Sequence, residues 1–182
     1  MISMKQAGAL PGAPSDPLLT AARAVITITR VLLIVTFAGL SFGVVAGIIG
    51  HGVVVTKVVA AGAPPVAAWA ITGMLALFAA LILMAERFLR RLGEIVATVA
   101  EGDPFVLANA RRLEQMGWLV LAINLIAIPI GAIVGWLSGY IEDLHIDVGF
   151  SFGGLMTMLI LFVLARVFRQ GSAMREELEG TV

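Results

Sequence analysis

Four long apolar runs, at residues 24–49, 66–85, 117–137 and 148–167, alternate with shorter polar stretches along the chain. Each is close to, or longer than, the roughly 20 residues that carry a helix across a bilayer core. The pattern predicts an all-α integral membrane protein, a four-transmembrane-helix bundle forming one membrane domain over residues 21–182. Residues 1–20 are rich in Gly, Pro, Ala and Ser and show no apolar period, so a disordered N-terminal tail is expected there. The first run is too long for the 7–15 apolar residues of a cleaved signal and reads as a span.

The central polar stretch, residues 86–116, divides the chain into two hydrophobic hairpins. Its end, EGDPFVLANARRLEQMGW from Glu101 to Trp118, carries its own structural signals. Glu101-Gly102 is breaker chemistry, Asp103 suits a helix N-cap and Pro104 a first helical position. Val106, Leu107, Ala110, Leu113 and Met116 then recur at helical spacing, which predicts an interfacial helix running into span three. The two connections on the other side differ. Residues 52–59 are β-branched and residues 142–148 alternate polar with apolar, so a small outer two-stranded β element is expected.

Charge orients this layout. Of the 182 residues, 60% are hydrophobic and 13% charged, with mean hydropathy +1.03, against roughly 25% charged residues in soluble domains. Of the twelve Lys and Arg, eleven fall on the side of the termini and central stretch; Lys57 alone falls opposite. The positive-inside rule then puts both termini, the central segment and the tail 168–182 in the cytoplasm. No span carries an ionisable residue near its middle, where proton relays and ion pathways place them. The chain has no cysteine, and no GxSxG, HExxH or phosphate loop, so neither an enzyme nor a cofactor is expected. The arginines are interleaved with acids, which argues against direct nucleic-acid binding. His51, Asp143, His145 and Asp147 on the outer loops could in principle meet a divalent ion. Solvated charges or a salt bridge from Lys57 are commoner, and no metal site is assigned.

Packing in lipid relies on small residues and polar contacts. Gly39, Gly43 and Gly47 form two overlapping GxxxG units in span one, and Gly131 and Gly135 continue the theme in span three. The motif serves either internal packing or a homodimer seam. Asn124 at mid-span needs a hydrogen-bond partner, and Pro129 frees a carbonyl one turn before it.

Two stretches carry a resemblance. Gly102-Asp103-Pro104-Phe105 with Asn109, Arg112-Leu113 and Gly117-Trp118, and residues 164–171 (LARVFRQG) with the terminal 176–182 (EELEGTV), resemble the bacterial membrane family catalogued as domain of unknown function 2975, with the four-span layout extending the likeness over residues 30–182. The resemblance implies a four-span inner-membrane protein of the bacterial cytoplasmic membrane, encoded near a small helix-turn-helix regulator, and implies no catalytic residues. Both stretches fall on the expected cytoplasmic face. The expected function is regulatory, with Asp103, Phe105, Asn109, Arg111, Arg112, Arg169 and Arg175 binding such a cytoplasmic partner. The alternatives are a small oligomeric transporter or channel component with Asn124 lining a path, and a structural subunit of a membrane complex.

Overall fold

The structure is a computed structural model that describes residues 17–140 and 148–179. It contains α1 (Pro17–Ile49), α2 (His51–Ala60), α3 (Ala67–Ala100), α4 (Leu107–Leu137) and α5 (Phe152–Glu179), with no strand among the described residues. Helices α1, α3, α4 and α5 are long and apolar enough to cross a membrane. The protein is an all-α integral membrane protein with four spans. The helices pack in a row, α1 on α3, α3 on α4 and α4 on α5.

Several of these helices outrun the bilayer. At 1.5 Å per residue α1 and α3 are about 50 Å long, some 20 Å more than a hydrocarbon core. The surplus lies at one end, where the charges of α1, α3, α4 and α5 collect. Aromatic residues mark the limits of the apolar slab. Trp118 is exposed near the arginine-rich end of α4, while Trp69, Trp136 and Tyr140 are exposed at the opposite end. From Trp118 to Trp136 along α4 is about 27 Å, which matches two aromatic belts across a bilayer core.

The first expectation to change is the N-terminal tail. Helix α1 already starts at Pro17, so residues 17–20 are helical rather than part of the expected tail, whose remaining residues 1–16 lie outside the described residues. Proline at a helix start loses no hydrogen bond and presets φ. The outer β element is corrected as well. Residues 52–59 lie within α2, a helix separated from α1 only by Gly50. Val58 is buried there with Ala63, Ala67, Ala68 and Leu137, and Val54 and Val55 flank them. A helix satisfies its own backbone beside the membrane, whereas a strand would need a neighbour; packing therefore overrides the β-branched preference. The proposed second strand, residues 142–148 with Asp143, His145 and Asp147, lies outside the described residues apart from Val148, which is not in a strand. His51 stacks on Trp69 at 4.1 Å instead of joining a strand face. Among the described residues no group of three His, Cys, Asp or Glu is placed to hold a metal.

Span four is shorter than the apolar run. Helix α5 begins at Phe152, so residues 148–151 are not helical. The apolar part of α5, from residue 152 to Ala165, is about 21 Å long, less than a full core. Non-helical backbone at membrane depth needs protein partners. Asn124 of α4 supplies one: its Oδ1 accepts the Ser151 N–H at 3.1 Å, while its Nδ2 donates to the Val120 carbonyl at 3.0 Å. Ser151 Oγ then accepts the Gly154 N–H at 3.3 Å, an N-cap for α5. Gly154 must be glycine for this contact, because a Cβ there would lie 2.1 Å from Asn124 Nδ2. A Cβ at Gly131 would stand 2.4 Å from the Val148 carbonyl oxygen, so α4 receives the descending chain along its small-residue face.

In α1 the three glycines part company. A Cβ at Gly47 would meet Thr72 Oγ1 at 2.9 Å and one at Gly43 would touch Leu75, both on α3, whereas Gly39 and, on α4, Gly135 have no neighbour within 4 Å of that position. The ion pair Arg30–Glu86, 2.7 Å, joins α1 to α3 where the apolar slab ends.

Candidate functional site

Helix α3 ends in a left-handed residue, and the rest of the arginine-rich tip is built on it. Gly102 has φ +84. Its N–H bonds to the Val99 carbonyl and that of Asp103 to the Thr98 carbonyl, the two reverse bonds of a Schellman stop. Pro104 follows, where no helix can continue. The next helix does not begin at Asp103-Pro104 as the cap chemistry suggests. It begins at Leu107, with Val106 extended at the N-cap position and no side-chain cap. It then runs without interruption into the third span, so interfacial helix and span are one element.

Asn109 and Asp103 take other work. Asn109 is completely buried. Its Nδ2 donates to Thr98 Oγ1 (2.7 Å) and to the Pro104 carbonyl (2.9 Å), and its Oδ1 accepts from Arg112 at 2.7 Å. One amide thus ties the end of α3, the turn and the start of α4. Arg112 also donates to Glu94 at 3.1 Å. Asp103 forms an ion pair with Arg175 of α5. Phe105 packs on Phe168 with ring centroids 5.2 Å apart, and Gly171 leaves room for it, since a Cβ there would lie 2.9 Å from the Phe105 ring. Arg169 pairs with Glu114 at 2.7 Å.

The two stretches separated by about fifty residues are therefore one structure, the α3–α4 turn clasped by the C-terminal half of α5. Residues 56–182 match the family described as Protein of unknown function (DUF2975). The chain belongs to this family. The match starts at Thr56, so most of the bundle lies within the DUF2975 region and α1 lies before it, a narrower extent than the likeness over residues 30–182. Comparison with curated proteins and with solved structures finds no match to either.

Within this DUF2975 tip, most of the expected contact residues are engaged with one another or with neighbouring helices, although Phe105, Arg169 and Arg175 remain exposed. Asn109 and Arg112 belong to the network that holds α3 to α4, and Asp103, Phe105, Arg169 and Arg175 join α4 and its turn to α5. Arg111 differs: it is exposed and makes no hydrogen bond or ion pair with a described residue. What reaches solvent is partly apolar. Val99 (38% exposed), Phe105 (45%), Leu107 (39%) and Met174 (60%) lie at the tip, beside a cavity of about 210 Å³ lined by Asp103, Phe105, Val106, Leu107, Ser172, Arg175 and Glu176. The sequence offered a signal for Leu107, on the apolar face of a helix. It offered none for Met174, which stands among charged residues in the tail 168–182. Glu94, which draws Arg90, Arg91 and Arg112 within 3.4 Å, 3.0 Å and 3.1 Å, is likewise not among the expected site residues. Two of those arginines sit three and four residues before it, a spacing visible in the sequence.

Proposed function

We propose that this is a membrane regulatory protein whose tip, formed by the α3–α4 turn and the end of α5, docks a soluble cytoplasmic protein. The observation that carries the reading is the exposure of Val99, Leu107 and Met174 so far from the membrane. Val99 lies thirteen residues beyond Glu86, about 20 Å along α3, past a headgroup layer of only some 5–8 Å. Apolar side chains there face water, and a rim of charges around them is the arrangement a protein partner covers. The positive-inside rule supports a cytoplasmic tip. The class of partner, a small helix-turn-helix regulator, rests on the family resemblance.

The clasp limits which side chains can change without loosening the tip. Reversing Arg112 or Arg175 would disturb ion pairs that hold the turn, whereas Leu107 and Met174 can change with little effect on the fold. Crosslinking in native membranes should recover a small DNA-binding protein with the parent chain and lose it with Leu107→Glu plus Met174→Glu, while unfolding in detergent stays the same. Recovery of the chain alone, or equal recovery with the variant, defeats the reading. The transporter alternative draws less support, because Asn124 is buried and its amide already bonds Val120 and Ser151 rather than facing an open path.

A further inference from the structure

A second cavity lies on another face of the same end, nearer the membrane. It measures about 420 Å³ and is lined by Arg87, Arg90, Arg91, Gln115, Trp118 and Leu119. The lining comes from two helices in the same register, residues i, i+3 and i+4 of α3 facing residues i, i+3 and i+4 of α4. Charge in the cavity is unbalanced. Arg90 and Arg91 share the single carboxylate of Glu94, which also takes Arg112. Arg87 is exposed and has no ion pair among the described residues. Arg111 stands one turn from Gln115 on the same face of α4 and adds to the excess. The nearest other acids are engaged elsewhere, Glu86 with Arg30 and Glu114 with Arg169.

The chemistry changes sharply along the cavity. Arg87 of α3 and Trp118 and Leu119 of α4 form its inner edge, and toward the membrane on the same two helix faces follow Leu83 and Leu125, both exposed. A ligand that suits this gradient carries a phosphate at one end and hydrocarbon at the other. We propose that the cavity seats the phosphodiester headgroup of an anionic phospholipid, with Arg87, Arg90 and Arg91 on the phosphate, Gln115 donating to headgroup oxygens, and the acyl chains running past Trp118 between α3 and α4. A free phosphate would satisfy the arginines but leave the apolar half of the groove unused.

Trp118 is the reporter. In the background Trp69→Phe, Trp136→Phe it is the only tryptophan, and its fluorescence in vesicles is quenched by brominated lipid in contact with it. Brominated phosphatidylglycerol should quench at lower mole fraction than brominated phosphatidylcholine, and Arg87→Gln should reduce that preference about fivefold, the effect of one arginine near a charged surface. Arg23→Gln removes an equal charge from α1, outside the cavity, and should leave the preference unchanged. Because Arg87 has no ion pair among the described residues, its variant tests the site without loosening the helices. Equal quenching by the two lipids overturns the proposal. So does an equal loss with Arg23→Gln, which marks diffuse surface attraction. Displacement of brominated phosphatidylglycerol by millimolar glycerol phosphate also overturns it, in favour of a soluble phosphate ligand. None of these readouts depends on a protein partner at the tip.

Discussion

Asn124 shows what a single amide does at membrane depth. A residue of this kind in a span is read as glue between helices, and here its partner is the unwound backbone at Ser151 rather than a side chain. The contact forces glycine at position 154, which would otherwise drive a Cβ into the amide. Two opposing effects then meet in Gly154→Ala. Alanine favours the helix by about 0.5–1 kcal/mol over glycine, but the clash costs about 1–3 kcal/mol, so the variant should be less stable in detergent unfolding. In an Asn124→Ala background the obstacle is gone and the same substitution should become neutral or stabilising. An unchanged penalty there would mean that the amide is not what confines Gly154. Neither the preference for Ser151 nor the need for Gly154 is legible in sequence, because both depend on where α5 begins, and an apolar run over 148–167 conceals that.

Among the elements, the α3–α4 turn differs most from its local signals. Asp103 and Pro104 advertise a helix start, yet the helix waits until Leu107 because Gly102 has closed α3 and Asp103 is drawn to Arg175. The Asn109 amide then fixes the Pro104 carbonyl in the turn. Gly102→Ala would place a side chain at φ +84, a cost of about 1–2 kcal/mol for an L-residue. The damage should be local: limited proteolysis within residues 101–106 should speed up severalfold while the spans keep their helical circular dichroism. Unaltered cleavage would show that the turn is not held by the left-handed stop. The neighbouring ion pair Arg169–Glu114 is half exposed on both sides, so it contributes less than about 1 kcal/mol and orients α5 more than it stabilises it. Helix α2 departs from its signals in the other direction. Its valines favour strands, but Val58 is buried against Ala67, Ala68 and Leu137 with Val54 and Val55 packed beside it, and that packing decides.

For the molecule as a whole, topology is the property that every functional reading needs. Four spans with a single polarity of charge predict that Lys57 and Arg111 lie on opposite sides of the membrane. The absence of cysteine makes this easy to test. Lys57→Cys should react with a membrane-impermeant maleimide added outside intact cells, and Arg111→Cys should react only after the membrane is opened. Labelling of both from one side would remove the four-span layout. The helices pack in a row in which α1 meets α3 and α2 only, so the membrane-facing surface of α1 is large. Two of its three small-residue positions are already used against α3, which leaves Gly39 as the only one of them open to a second copy.

The sequence by itself determined the class of the protein, the number of spans, the expected side of each polar stretch and the family, because these follow from sums over many residues: apolar length, the position of arginines, a shared pattern. It also marked the stretches that matter at the tip. Tertiary structure alone decided what those residues do. Most of the side chains that look like a recognition surface are engaged with one another, since a buried amide such as Asn109 and an arginine such as Arg112 need partners, and Thr98 and Glu94 of α3 reach them only through the fold. The surface left for recognition is the apolar remainder, Val99, Leu107 and Met174 with the exposed part of Phe105, which only the meeting of the turn and α5 brings together.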